Sequence, residues 1–137
     1  MVYQGIHCRL SIERPAAGVV VVRVTGSDIG EFGEAPLQEL EQHLAEREPL
    51  ELFIDAREAK GATVDVSSEW ALWLRRHKAD LQHVSMLTGA PFIRLTAKFV
   101  QRFADLEEKM RLYTDARAFD TALAATTQTR KIGSVPN

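Results

Sequence analysis

Two short runs of almost unbroken apolar residues constrain this fold more than any other feature of the chain. Val19–Val24 is rich in β-branched side chains, and Leu50–Ala56 is a second run of the same kind. A strand that is apolar at nearly every position is typical of the inner part of a parallel sheet, where both faces are buried. A helical spacing of apolar residues follows each run, which predicts an α/β fold.

The other elements follow from periodicity and from the glycines and prolines that punctuate it. The predicted strands are His7–Glu13, Val19–Val24, Leu50–Ala56, His83–Leu87 and Lys109–Tyr113. The predicted helices are Glu34–Glu48, a helix that opens within Thr63–Trp70 and continues to Leu81, a helix that begins at Pro91, and Ala116–Ala124. The order β-β-α-β-α-β-α-β-α predicts a mainly parallel central sheet with right-handed crossovers and one antiparallel edge from an N-terminal hairpin.

Length and composition predict one globular domain. The chain has 137 residues, of which 45% are hydrophobic and 26% are charged, and a chain near this length buries roughly two-thirds of its unfolded surface. We expect the domain to occupy residues 1–125. The polar segment Thr126–Asn137 lacks periodicity and is interpreted as a C-terminal tail.

Charge and cysteine usage exclude several function classes. The net charge of -2 does not favour nucleic acid or an anionic membrane as a partner. The single cysteine, Cys8, cannot form an intrachain disulfide. The chain contains no signal-peptide pattern and no apolar run long enough to span a bilayer, so we expect a soluble cytoplasmic protein.

The sequence predicts that the protein is not an enzyme. It contains no nucleophile elbow, no P-loop, no dinucleotide-binding fingerprint and no H-E-x-x-H motif. The histidines (His7, His43, His77 and His83) are scattered without the spacing of metal ligands. Cys8 lies in a predicted strand and is expected to be a small buried residue. We therefore expect no catalytic residue, no metal and no cofactor.

Asp55 is the first candidate for a binding residue. It is predicted to stand at the end of a buried strand, where parallel sheets present their ligand-binding loops. In one interpretation its carboxylate binds a partner or ligand. In the other it caps the strand end and orders a neighbouring loop.

The start of the second helix is the second candidate. Asp65 or Ser67 is expected to be the N-cap, because its side-chain oxygen would accept a free backbone N–H. The alternative is functional. Phosphorylation of Ser67 or Ser68 would place roughly two negative charges beside the positive end of the helix and would change the surface that a partner meets.

Aromatic residues on the two middle helices allow two interpretations. Trp70 and Trp73 share one helical face, which is typical of core packing. They could instead form the wall of an apolar ligand pocket between the helices and the sheet. The next helix would contribute its own aromatic residues, Phe92, Phe99 and Phe103.

Charged residues cluster by sign. A basic run covers Arg75–Lys78, and Arg94, Lys98 and Arg102 form a stripe with a spacing of four residues. The first helix region is acidic, with Glu31, Glu34, Glu39, Glu41 and Glu46. Solvated surfaces are the simplest interpretation. An acidic protein partner and a homodimer are the alternatives.

The order of elements, together with three segments, resembles the STAS superfamily of sulfate transporters and anti-sigma factor antagonists, and in particular its bacterial STAS or Sec14-like branch. Leu52–Ala56 resembles the strand that ends in Asp, and Val64–Ser68 resembles the Asp-Ser-Ser-Gly stretch of the antagonists. Met110–Asp115, followed by Ala118 and Phe119, resembles their last strand, turn and helix. The resemblance covers about residues 6–125.

The resemblance implies a function and a switch. In the antagonists, a kinase phosphorylates a serine at the start of this helix and so releases the partner. Ser67 is the closest match to that serine, and Ser68 is the second. The chain departs from the pattern at Val66, which separates Asp65 from the serines, and at Glu69, which stands where the antagonists have Gly.

Two hypotheses follow. In the first, a regulatory or scaffolding domain binds a protein partner, such as a kinase or an anti-sigma factor, through Asp55, Asp65, Ser67 and Ser68, and Ser67→Asp weakens the complex. In the second, the domain binds a small molecule or lipid in a pocket formed by Trp70, Trp73 and Phe99.

Overall fold

The computed structural model describes residues 1–44 and 48–133. The strands are β1 (Val2–Gln4), β2 (Cys8–Ala16), β3 (Val19–Asp28), β4 (Leu50–Ala62), β5 (Leu81–Thr88) and β6 (Met110–Tyr113). The helices are α1 (Ala35–His43), α2 (Val64–Arg76), α3 (Pro91–Phe103) and α4 (Ala116–Gly133). A single 3-10 turn, Lys78–Asp80, joins α2 to β5.

The six strands form one sheet in chain order, from β1 to β6. The pairs β1–β2 and β2–β3 are antiparallel, and β3 to β6 are parallel. The prediction of a mainly parallel sheet with an antiparallel N-terminal edge is confirmed. Strand β1 was not predicted, because its three residues are too few to show a period. The backbone N–H of Ile12, which donates to the Met1 carbonyl at 2.9 Å, secures this strand at the sheet edge.

The helices cover both faces of the sheet. Right-handed connections place their helices on the same face when successive parallel strands are added in one direction along the sheet, as β3 to β6 are here. Accordingly α1, α2 and α3 share one face, where the largest core contains Leu40, Leu74 and Val100 from the helices and Leu52 from β4. The last helix, α4, seals the opposite face through Phe119, which is fully buried.

Several predicted boundaries of strands and helices were wrong. Strand β4 does not end at Ala56: it continues through the predicted loop to Ala62, because residues 58–62 pair with the end of β3 across two register shifts. Helix α2 begins at Val64 and ends at Arg76, so Leu81 opens β5. Helix α1 covers only Ala35–His43, and residues 45–47 of the predicted Glu34–Glu48 helix lie outside the described residues.

The last helix is longer than predicted. It does not stop at Ala124 but continues to Gly133, through most of the segment interpreted as a tail. Arg130 explains the extension: its guanidinium lies 3.1 Å from Glu48 and donates to the carbonyl of Pro49 at 2.8 Å. These contacts tie the last turns of α4 to the start of β4. The boundary of the domain at residue 125 stays a prediction, and residues 134–137 lie outside the described residues.

Candidate functional site

The carboxyl edge of the parallel strands is built by three connections that lie side by side. The first follows Asp28 at the end of β3, the second is Thr63 between β4 and α2, and the third is Gly89–Ala90 between β5 and α3. Backbone hydrogen bonds fix the first connection to the second: the N–H of Thr63 donates to the Asp28 carbonyl at 3.0 Å. The N–H of Gly30 donates to the Asp28 carboxylate, also at 3.0 Å.

Helix α2 starts earlier than predicted, because Thr63 is its N-cap. The Thr63 hydroxyl accepts the N–H of Val66 at 3.2 Å, so neither Asp65 nor Ser67 caps the helix. When the helix starts after Thr63, the side chains of Val66 and Leu74 point into the core, and their burial favours this start. The N–H of Ser67 already donates to the Thr63 carbonyl at 3.0 Å, and so it is not a free donor for an anion.

The structure brings three of the predicted site residues together on the first two turns of α2. Asp65 is exposed, and its charge suits the positive end of the helix. Ser67 is only 8% exposed and faces the interior, whereas Ser68 is half-buried. Of the two candidate phosphoacceptors, Ser68 therefore has the more accessible hydroxyl.

Asp55 lies apart from these residues. It is in the middle of β4 and not at its end, and its carboxylate is 3.0 Å from Arg23 of β3 and 3.0 Å from the Nε atom of Arg57. Arg57 also pairs with Asp120 of α4. Hydrogen bonds to Asp120 and Asp55 raise the pKa of Arg57 above its ordinary value, so the guanidinium stays charged. Asp55 therefore belongs to a network that holds α4 against the sheet.

An apolar cavity of about 90 Å³ lies between the sheet and helices α2 and α3. Its few polar lining residues are Asp28, Ser67 and Thr96. Of the three residues predicted to form a ligand pocket, only Trp70 lines it. Trp73 is buried in the core, where its Nε1 atom donates to Glu41 at 3.2 Å, and Phe99 is 47% exposed on the outer face of α3.

Asp28 is a buried carboxylate at this edge that was not among the predicted site residues. It is 8% exposed, no described residue forms an ion pair with it, and burial raises its pKa, with a further contribution from nearby Glu31. The predicted strand Val19–Val24 stops four residues before Asp28, whereas β3 continues to Asp28. Val66, Trp70 and Leu74 are spaced by four residues, which indicates one face of a helix. This spacing could have predicted the start of α2, and with it the position of this edge.

The described residues also bear on the lone cysteine, on metal-ligating side chains and on membrane-spanning helices. Cys8 is 3% exposed, as expected for a small buried residue, and burial raises the pKa of its thiol to about 11. Within residues 1–44 and 48–133, no three metal-ligating side chains converge. Of the helices in these ranges, none combines the length and the apolar character needed to cross a membrane.

The comparisons with known proteins identify the fold. No protein-family model and no curated protein matches the chain. Among solved structures, an uncharacterized DUF3478-family protein from Shewanella loihica PV-4 is similar, with 18% identity, a TM-score of 0.63 and coverage of 88% of this chain and 98% of that one.

Two anti-sigma factor antagonists are also similar. The antagonist SpoIIAA in its unphosphorylated form has 16% identity and a TM-score of 0.56, over 84% of this chain and 96% of that one. An antagonist from Mycobacterium paratuberculosis has 19% identity and a TM-score of 0.57, over 85% and 94%. The chain therefore shares the α/β fold of these structures. Its fold is SpoIIAA-like, which confirms the resemblance at the level of the fold.

The network around Asp55 generates a first prediction. Asp55→Asn removes the charge that two arginines share, and hydrogen bonds to charged groups contribute about 1.5–3 kcal/mol. We expect the free energy of unfolding to fall by about that amount in urea denaturation. Asp120→Asn is the matched control, because Asp120 is exposed and a surface pair contributes about 1 kcal/mol or less. Equal stability of Asp55→Asn and the wild type would contradict the structural role.

The raised pKa of Asp28 generates a second prediction. A group whose pKa is raised in the folded state stabilises the fold in its protonated form, and this contribution is lost as the pH rises through that pKa. Asp28→Asn keeps an oxygen for the N–H of Gly30 but carries no charge. We expect it to be more stable than the wild type at pH 7, with a difference that shrinks towards about pH 4. A loss of stability at pH 7 would show that the carboxylate has a favourable partner.

Proposed function

We propose that this chain is a non-enzymatic regulatory or scaffolding domain that binds a protein partner through the carboxyl edge of its parallel strands. One observation carries the proposal. Each of three neighbouring connections presents an exposed large apolar residue at this edge: Ile29 after β3, Val64 at the start of α2 and Phe92 at the start of α3. Single exposed apolar residues are ordinary, but a group of them at one edge is typical of an interaction site.

Polar groups surround this apolar set, as they do at the rim of protein interfaces. Asp65 is exposed beside Val64, and Ser68 lies one turn further along α2. Glu31 holds the neighbouring β1–β2 turn, since its carboxylate accepts the N–H groups of Ile6 and His7 at 2.7 and 2.9 Å. The edge is therefore ordered before any partner binds, which lowers the entropic cost of association.

The similar folds support a protein partner over a chemical substrate. Two of the similar structures are anti-sigma factor antagonists, and a kinase or an anti-sigma factor is the class of partner that this likeness suggests. Such a partner would place the protein in the cytoplasm. Because fold does not determine function, the exposed apolar residues at the carboxyl edge, and not the likeness alone, support a protein partner.

Phosphorylation of α2 is part of the proposal. Ser67 is the closest match to the antagonists' serine, but its side chain lines the apolar cavity, so α2 must open locally before a kinase reaches it. The half-buried Ser68 needs a smaller movement. Because Ser67 is buried, Ser67→Asp would bury a charge and would destabilise the fold. Ser68→Asp places the charge at a more accessible position and is therefore the better mimic of phosphorylation.

Val64→Glu tests the proposed surface. Val64 is 79% exposed at the first position of α2, where an acidic residue suits the helix dipole and should not destabilise the fold. We expect the variant to lose about tenfold or more in affinity for the partner that copurifies with the tagged protein from its host, because a charge replaces a central apolar contact.

Ile132→Glu is the matched control for Val64→Glu. Ile132 is 64% exposed on the last turn of α4, far along the chain from the proposed edge. It should capture the partner as the wild type does. Undiminished capture by Val64→Glu, or an equal loss in both variants, would contradict this surface.

The apolar cavity supports a second candidate function, the binding of a small apolar ligand. Its volume of about 90 Å³ is well below the roughly 300–1,000 Å³ of pockets that hold drug-sized molecules or lipid chains. Only a ligand of a few heavy atoms would fit without rearrangement. Native mass spectrometry of the purified chain tests this candidate: a bound small molecule would support it, and a clean apo mass would count against it.

A further inference from the structure

The outer face of α3 carries a stripe of apolar side chains that no described part of the chain covers. Phe92, Leu95, Phe99 and Phe103 recur every three or four residues, which places them on one side of the helix. They are 60%, 68%, 47% and 40% exposed. The rings of Phe99 and Phe103 lie 5.6 Å apart, so the stripe is continuous at its end. Its core-facing side is separate and consists of Ile93, Ala97 and Val100.

A row of cations runs beside this stripe. Arg94, Lys98 and Arg102 are spaced by four residues, and α3 contains no acidic residue between Pro91 and Phe103. Among the described residues none forms an ion pair with these three cations, and the Nε atom of Arg94 is buried without a hydrogen-bond partner. The neighbouring cation Lys78, in contrast, pairs with Asp105 at 3.0 Å. The face of α3 therefore combines exposed apolar area with uncompensated positive charge.

A second copy of this chain fits the face poorly. Two α3 helices packed together would place three cations against three, with no acid on either helix. Two of the acids on α1 already have partners within the chain. Glu39 accepts the Tyr3 hydroxyl at 2.7 Å, and Glu41 accepts the Trp73 indole.

An anionic bilayer fits less well than a protein. Helices that lie in a membrane surface carry cations across the whole polar face, with the apolar face opposite. Here the cations flank the stripe on one side only, and acidic residues, Asp105, Glu107 and Glu108, follow the helix directly. The net charge of -2 adds to the repulsion.

We propose that α3 is the docking surface for an acidic amphipathic helix of a protein partner. The apolar side of the partner helix would pack on the stripe formed by Phe92, Leu95, Phe99 and Phe103. The carboxylates of the partner helix would lie along Arg94, Lys98 and Arg102. The stripe spans the twelve residues from Phe92 to Phe103, a rise of about 17 Å, which matches about three turns of a partner helix. The inference rests on the proposed function, because the docked helix belongs to a protein partner. Phe92 belongs both to this face and to the carboxyl edge that contains Val64.

Synthetic helical peptides test the docking surface without the native partner. Three four-turn peptides would share one leucine stripe and differ in their polar face, which is built from Glu, Gln or Lys. Their affinity for the full chain is measured by fluorescence anisotropy at low and high salt. We expect the Glu peptide to bind about tenfold tighter than the Gln peptide and the Lys peptide not to bind, with the preference weakened by salt.

Variants of α3 identify the contact. Lys98→Glu combined with Arg102→Glu should remove the preference for the Glu peptide and favour the Lys peptide. Leu95→Ser combined with Phe99→Ser should weaken the Glu and Gln peptides alike by about tenfold, because the apolar contact is lost. Ile132→Ser is the control with unchanged binding, and circular dichroism verifies that each variant is folded.

Several results would overturn the inference. These are equal binding of the three peptides, no binding of the Glu peptide by the folded chain, and binding that Leu95→Ser/Phe99→Ser leaves intact. Binding to phosphatidylserine-containing vesicles without peptide binding would identify a bilayer as the occupant, and a dimer that the same variant dissociates would identify a second copy. Because Val64→Glu should leave peptide binding unchanged, failure of the carboxyl edge and failure of this face are distinguishable.

Discussion

The pairing of β3 with β4 is the interaction on which the rest of the structure depends. Val19 to Arg23 pair in parallel with Glu51 to Asp55, and both strands are buried on their two faces over most of this stretch. Alternate residues therefore belong to different cores: Val20 and Val22 meet α1 to α3, whereas Val19 and Val21 meet α4. A slip of one residue would exchange these two sets and would expose both cores to the wrong helices.

This pairing also separates the structural network around Asp55 from the proposed binding edge. On the α4 face, Asp55 is enclosed by Arg23 and Arg57 and stabilises the packing of α4. At the carboxyl edge, the extension of β4 to Ala62 brings Thr63 within hydrogen-bond distance of the end of β3. The connections that carry Ile29, Val64 and Phe92 thus rest on a rigid sheet, and the same scaffold presents the uncovered face of α3. Both proposed surfaces lie on the parts of the chain that the sheet orders but does not bury.

The sequence predicts the sheet well because the two apolar runs can be buried completely only as inner strands of a sheet that is covered on both faces. Uninterrupted apolar runs indicate burial on both faces, and the alternation of strands with helices predicts parallel pairing. The sequence does not predict where β4 ends, because Arg57, Ala59 and Gly61 lack a strand pattern and are ordered only by pairing with β3. The prediction of the N-cap of α2 was wrong for a related reason. Thr63, Asp65 and Ser67 are all residue types that favour N-caps. The burial of Val66 decides among them, because it requires the helix to start after Thr63. Asp55 was predicted at the binding edge because the apolar run ends at Ala56, whereas β4 continues to Ala62.

A protein partner that binds the carboxyl edge of this SpoIIAA-like fold should perturb that edge before any other part of the chain. Backbone amide chemical shifts of the ¹⁵N-labelled chain, recorded as the copurified partner is added, test it most directly. The account predicts that the largest changes occur in residues 29–31, at the start of α2 from Thr63 to Ser68, and at Phe92. Changes confined to α4 and to the network around Asp55, with the carboxyl edge unperturbed at saturation, would contradict it.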